Sequence, residues 1–302
     1  MRKCYWVKAA LLVAAASLLC AAGCVSSPDS ARIKYIAHRG DYHDAPEGSM
    51  TAYRNAVARG SEIVKLDVHL SKDGVIVLSH DPTFTRTMGW DAKIADVTWD
   101  EIGHHVYLMD GKPTAEHAVA LPEVLEVIGS VPEFWIDFKY FTPPFAEKVL
   151  AAFKEVGISE DRLMVATYNQ PALRYMKDHH PSIRRIGHMD FMQVKDRWSP
   201  SFARAKGVTY APASKDEPMA REVVDGIRGY ASRMGLWGVN IGQNPKLVTK
   251  ELVAALKADG LWVSIALIHT KSQAKHYVGF GNDAVVTRDR LAVKSILEKE
   301  QK

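Results

Sequence analysis

Beyond residue 24 the chain has no cysteine: Cys4, Cys20 and Cys24 are the whole complement. A fold built from the remainder takes no stability from disulfides. Basic runs are missing too. The formal charge is +4, and setting aside Arg2, Lys3 and Lys8 reduces the 39 basic residues to 36 against 35 acidic ones, a net +1. That balance, with no Lys/Arg cluster, argues against a nucleic-acid partner. The apolar run from Ala9 to Leu19 falls short of the roughly 20 residues that a membrane-spanning helix needs. No internal repeat or low-complexity tract is present. No glycine-rich phosphate turn follows the first apolar run of the main body, which disfavours an open doubly wound sheet.

What is present is a chain of 302 residues, 47% apolar, enough for one barrel-sized domain with a substantial core. Its start reads as an export leader: a basic end, a short apolar run, then Ala21-Ala22-Gly23-Cys24. Small residues before a cysteine resemble a bacterial lipoprotein box, so residues 1–23 are expected to be a signal peptide and Cys24 the lipidated first residue. A polar tether (24–31) and a folded body (32–302) follow. The expected picture is an exported domain held to a membrane by its lipid, facing the periplasm or the cell exterior. The sequence leaves protein partners open.

In the body, short apolar runs alternate with amphipathic stretches, the pattern of parallel strands joined by helices. Strands are expected at Ile33–Ala37, Ile63–Val68, Phe134–Phe138, Leu163–Thr167, Arg185–His188, Leu236–Ile241, Trp262–Leu267 and Ala284–Thr287. Helices are expected at Ser49–Arg59, Pro144–Val156, Gln170–Asp178, Glu217–Arg233, Leu247–Ala258 and Ser272–Val278, with Gly60, Gly157, Gly235 and Gly260 as left-handed caps. The fold class is α/β, a (β/α)8 TIM barrel with a small insertion after the second strand. Val208–Ala211 is a ninth apolar run that competes for a strand position. Val75–Asp81 reads as the return arm of a hairpin, because Lys72-Asp73-Gly74 is a turn signal. Residues 82–120, rich in His, Trp and Asp, form the insertion expected over one mouth of the barrel.

The chemistry concentrates at strand ends. His38 and Arg39 follow the first strand, and Ser79-His80-Asp81 ends the hairpin arm. Lys65 and Asp67 share one side of the second strand, as do Asp137 and Lys139 at the end of the third, since residues i and i+2 project to the same face. Burying four such charges for stability alone is a poor bargain, because desolvation roughly cancels their attraction. A site that handles an anion explains them better.

Together these stretches resemble the glycerophosphodiester phosphodiesterase family: Ala37-His38-Arg39-Gly40, Pro46-Glu47, Thr51-Ala52-Tyr53, Asp67-Val68, Ser71-Lys72-Asp73-Gly74, His80-Asp81, Arg86-Thr87, Leu121-Pro122-Glu123-Val124-Leu125, Asp137-Phe138-Lys139 and Asp283 to Thr287. The resemblance implies a TIM barrel that hydrolyses glycerophosphodiesters to an alcohol and glycerol phosphate. It implies His38 and His80 as the acid/base pair, with Arg39 and Lys139 on the non-bridging phosphate oxygens. It also implies a divalent cation, calcium or magnesium, held by carboxylates of the second and third strands.

Here the sequence departs from the family. Lys65 replaces the first second-strand carboxylate, and the third-strand ligand is Asp137 in place of glutamate. One outcome is that Lys65 substitutes for the metal and binds substrate beside Asp67 and Asp137. Another is that Glu47 or Asp81 restores a carboxylate, giving a weakened metal set of Asp67, Asp137 and Glu47. A third is that hydrolysis is lost. The alternatives in function are therefore a phospholipase-D-like enzyme on intact lipids or envelope polymers, and a non-catalytic phosphodiester-binding lipoprotein. Ala266-Leu267 stands where the family has Trp-Thr, and Arg288 where it has aspartate, which bears on head-group specificity. Tyr42, Trp90, Tyr107, Tyr140, Phe141 and Tyr168 are candidates for the pocket wall.

Overall fold

The computed structural model describes residues 33–189, 191–194, 197–200, 221–244 and 248–298. The expected leader, Cys24, the tether, Val208–Ala211 and the first residues of the helix expected at Glu217–Arg233 lie outside them.

Eight parallel strands form the frame: β1 (Lys34–His38), β2 (Ile63–Leu70), β3 (Glu133–Phe138), β4 (Leu163–Thr167), β5 (Arg184–Met189), β6 (Gly238–Gly242), β7 (Trp262–Ala266) and β8 (Ala284–Thr287). Each pairs with the next in sequence, and β1 pairs with both β8 and β2, which closes the barrel. Crossover helices follow the strands in order: α1 (Met50–Ala58), α2 (Leu121–Ile128), α3 (Pro143–Glu155), α4 (Gln170–His179), α5 (Arg221–Met234), α6 (Lys250–Ala258), α7 (Lys271–His276) and α8 (Arg290–Leu297).

The sequence sets where helices start. Ser49, Thr142, Asn169, Thr249, Thr270 and Asp289 stand just before α1, α3, α4, α6, α7 and α8, and each side chain accepts a backbone N–H of the first turn. The four cap glycines all take positive φ, as expected. Two helices absent from the sequence reading are α2 and α8. In α2, Leu121, Val124, Leu125 and Ile128 fall at helical spacing, and all four are buried.

The strands are buried on both faces, so they read as continuous apolar runs. Ile36, Ile63, Trp135, Met164, Ile186 and Val286 fill the lumen, while a larger cluster packs between strands and helices. Ile76–Leu78 returns antiparallel to β2, as the Lys72–Gly74 turn predicts. The insertion holds the short helices Thr85–Met88 and Trp99–Gly103 and a small hairpin (Leu108–Met109 with Lys112–Pro113) around its own core of Phe84, Ile94, Ile102 and Tyr107.

Candidate active site

At the end of β1 the chain turns sharply. Arg39 and Gly40 both have positive φ, 60° and 84°. Only glycine fits the second position, because a Cβ there would lie 2.6 Å from the carbonyl carbon of Ala52. The turn is fixed by Asp41 N–H donating to Ala52 O and Gly48 N–H to Arg39 O, both at 2.9 Å. It leaves His38 buried at the strand end and puts the Arg39 guanidinium between two carboxylates: Nη1 donates to Glu47 Oε1 at 2.8 Å, and Nε lies 3.6 Å from Asp67 Oδ2.

Register sets the next layer. Asp67 on β2 sits opposite Asp137 on β3. The side chains two residues away join them as expected, but crosswise. Lys65 Nζ donates to Asp67 Oδ1 and lies 3.0 Å from Asp137 Oδ2, while Lys139 Nζ is 3.0 Å and 2.8 Å from the same two oxygens. Lys65, Asp67 and Asp137 are each at most 4% exposed. Burial alone would raise the carboxyl of Asp67, but Lys65, then Lys139 and Arg39, hold it well below its ordinary 3.8. Asp137 is lowered in the same way, and the two carboxylates raise Lys139 against the effect of its burial.

His80 lines the same cavity from the hairpin side. Its Nδ1–H donates to Asp81 Oδ1 at 2.7 Å, which leaves Nε2 as the nitrogen that can exchange a proton. Arg86 from the insertion braces this arm: Nε donates to Asp81 Oδ2 and Nη2 to Glu47 Oε1, each at 2.6 Å. Burial and Lys139 lower His80 below 6.5, against the pull of Asp67 and Asp81. Burial, Arg39 and Lys65 push His38 further, well below 6.5. Among the described residues His38 Nδ1 has no hydrogen-bond partner, and the ring is held by stacking 5.7 Å from His269 and by Tyr42 at 6.1 Å.

His38, Arg39, Lys65, His80, Asp137 and Lys139 line one side of a cavity of about 340 Å³. The rest of the lining, including Trp135, Tyr168, His188, Asn240, Gln243, Leu267 and Val286, carries no charged side chain. His188 is part of a chain of hydrogen bonds that sequence reasoning missed. Ser264 Oγ donates to Asn240 Oδ1 (2.8 Å), Asn240 Nδ2 donates to His188 Nδ1 (3.1 Å), and His188 Nε2–H donates to Ala166 O (2.9 Å). Burial lowers His188 to about 4, so it is a neutral polar brace. The available signal was one buried polar residue at matching depth in β5, β6 and β7.

Of the expected aromatics, Tyr168 reaches the cavity and stacks on His188. Trp90 instead stacks between Phe84 and His105 in the insertion, and Phe141 packs on Phe138 and Tyr175. Tyr107 belongs to the insertion core, and Tyr140 is exposed. Arg288 lines a separate cleft of about 430 Å³ with Tyr42 and Arg86.

The expected cation site does not fit these residues. A hard divalent ion needs six or more oxygen ligands. The facing oxygens of Asp67 and Asp137 are already taken by two ammonium groups, and Glu47 is ion-paired with Arg39 and Arg86. Among the described residues, no three His, Cys, Asp or Glu side chains are grouped to hold a metal.

Comparison with known proteins gives the family and the fold. Residues 38–291 match the Glycerophosphoryl diester phosphodiesterase family. A glycerophosphodiester phosphodiesterase of Bacillus altitudinis is 28% identical over 265 residues, covering 84% of this chain and 94% of that protein. One from Caldanaerobacter subterraneus is 33% identical over 156 residues, covering 49% of this chain and 63% of that protein. Among solved structures, an Oleispira antarctica phosphodiesterase in complex with the product sn-glycerol-3-phosphate superimposes with a TM-score of 0.67 at 23% identity, covering 88% of this chain and 96% of that one.

Proposed function

Because the chain belongs to the glycerophosphoryl diester phosphodiesterase family, we propose that it is a phosphoric diester hydrolase that splits glycerophosphodiesters into an alcohol and glycerol phosphate. The observation that carries the reading is the pair His38 and His80 on the wall of one cavity that Arg39 and Lys139 also line.

The roles follow from the surroundings of each ring. His38 is buried and faces Arg39 and Lys65, so it is neutral near pH 7 and suited to accept a proton. It takes that proton from the hydroxyl attacking phosphorus, either a neighbouring hydroxyl of the glycerol or a water. As the new P–O bond forms, the bond to the departing alcohol breaks, and that oxygen receives a proton from His80 Nε2. Asp81, bonded to Nδ1, stabilises the imidazolium this role requires, and the negative charge of the bound phosphodiester adds to that effect. Arg39 and Lys139 hold the non-bridging oxygens and offset the charge that builds there. When attack is by the glycerol hydroxyl, water opens the cyclic product with the two histidines exchanging roles. No step is routed through a metal.

The uncharged part of the lining fits an arm held by shape and by the amides of Asn240 and Gln243. Export and lipid anchoring at Cys24 belong to the same proposal, supported by the basic–apolar–small pattern before Cys24. Detergent partitioning of the wild type and Cys24→Ser tests that part.

The catalytic part is tested with purified protein, glycerophosphocholine and bis(p-nitrophenyl) phosphate. His38→Ala and His80→Ala are each expected to lose roughly 10²–10⁴-fold in turnover. Turnover surviving both substitutions would overturn the assignment. Saturable binding of glycerophosphocholine with no turnover would point to a binding protein.

A further inference from the structure

We propose that Lys65 is a further phosphate-binding cation of this site, beside Arg39 and Lys139, filling with an ammonium group the position between Asp67 and Asp137, and that the protein binds phosphodiesters without a divalent ion. The inference rests on the phosphodiesterase reading and deepens it.

Charge balance is the first argument. The ion-paired side chains around the cavity are Arg39, Lys65, Arg86 and Lys139 against Glu47, Asp67, Asp81 and Asp137, four cations and four carboxylates. A dication entering this neutral set would find no excess negative charge. With glutamate at position 65, the same set would hold three cations and five carboxylates, an excess of two negative charges that matches one dication. The lysine therefore makes the same change in net charge that a bound divalent ion would make.

Geometry is the second. Lys65 is fixed on β2, almost fully buried, with its ammonium against both carboxylates. An ammonium has three donors. Asp67 takes one of them, Asp137 lies 3.0 Å away as an ion-pair partner, and even with both carboxylates served one donor is left for an anion in the cavity that Lys65 lines. Lys139 meets the same two oxygens and is left with one donor in the same way. Two lysines held by two carboxylates thus offer a pair of N–H donors to two non-bridging oxygens.

The test uses purified wild-type protein dialysed against EDTA, with three readouts. Calcium and magnesium titrations by calorimetry are expected to show no saturable binding by the wild type at 1 mM, and Lys65→Glu is expected to gain calcium affinity at least tenfold. Glycerol 3-phosphate is expected to bind the wild type in EDTA, and Lys65→Met to bind it at least tenfold more weakly. Glycerophosphocholine turnover is expected to change less than twofold between EDTA and calcium. Saturable sub-millimolar calcium binding by the wild type would overturn the proposal, as would EDTA-abolished turnover or no glycerol 3-phosphate binding in EDTA. Should Lys65→Glu not fold, the wild-type titrations decide alone. Should turnover be absent under every condition, the catalytic reading fails, and the calcium and glycerol 3-phosphate titrations still decide the role of Lys65.

Discussion

Asp67→Asn is expected to be one of the most costly single-atom changes available in this barrel. The side chain is 2% exposed and opposes Lys65, Lys139 and Arg39. An amide keeps the shape and removes the charge, leaving the buried network with one uncompensated cation. Removing one partner of a buried ion pair costs about 3–5 kcal/mol, against about 1 kcal/mol for an ordinary hydrogen bond. Lys65 and Lys139 keep Asp137 at 3.0 Å and 2.8 Å, which places the cost near the lower end, about 3 kcal/mol. For a domain of this size that corresponds to a fall in Tm of roughly 5 °C. Urea unfolding followed by circular dichroism at pH 7 measures it. Lys65→Met with Asp67→Leu removes a cation and a carboxylate together and is expected to lie within about 1 kcal/mol of the wild type. The folded-state pKa of Asp67 is well below 3.8, so its contribution is fully present above pH 3.8 and is lost as pH falls through the depressed value. The gap between wild type and Asp67→Asn should therefore narrow only below pH 3.8. A gap under about 1 kcal/mol at pH 7, or a double variant less stable than the single one, would refute the charge-balance argument.

Three further outcomes are expected. The proton-accepting form of His38 persists below pH 6.5, so the acid limb of kcat/KM should be centred well below 6.5; an acid limb centred at 6.5 or above would contradict the role of burial and Arg39. Asp81→Asn removes the negative charge that stabilises the His80 imidazolium and should lower kcat about 10–100-fold with little change in KM, whereas a purely structural role would show as lost stability at unchanged kcat. Gly40→Ala forces a left-handed alanine against the backbone of Ala52 and should cost about 3 kcal/mol or more in urea unfolding, and a neutral result would mean the turn can open.

The barrel was legible because its signals are local. Alternation along one strand put Lys65 and Asp67 on the same side, and Lys72-Asp73-Gly74 announced the hairpin. The crossed pairing of Lys65 with Asp137 and Lys139 with Asp67 was not legible, because it depends on the register between β2 and β3. Glu47 was open to a ligand role in the sequence. It lies in a loop, where no period fixes side-chain direction, and there it meets Arg39 and Arg86. His188, Asn240 and Ser264 come from three strands spread over more than seventy positions, and nothing in the sequence joins them until the barrel closes. Helices α2 and α8 carry ordinary helical spacing, and in α2 the motif Leu121-Pro122-Glu123-Val124-Leu125 coincides with it.

The paired charges all come from residues 39–139, on the first three strands and the hairpin and insertion between them, whereas most of the uncharged wall lies beyond residue 166. The barrel is thus divided between a fixed electrode and an interchangeable face. Substitutions in the later strands can reshape the seat of one substrate arm without disturbing the electrical balance of the earlier ones. Such a chain can change what it accepts long before it changes what it does.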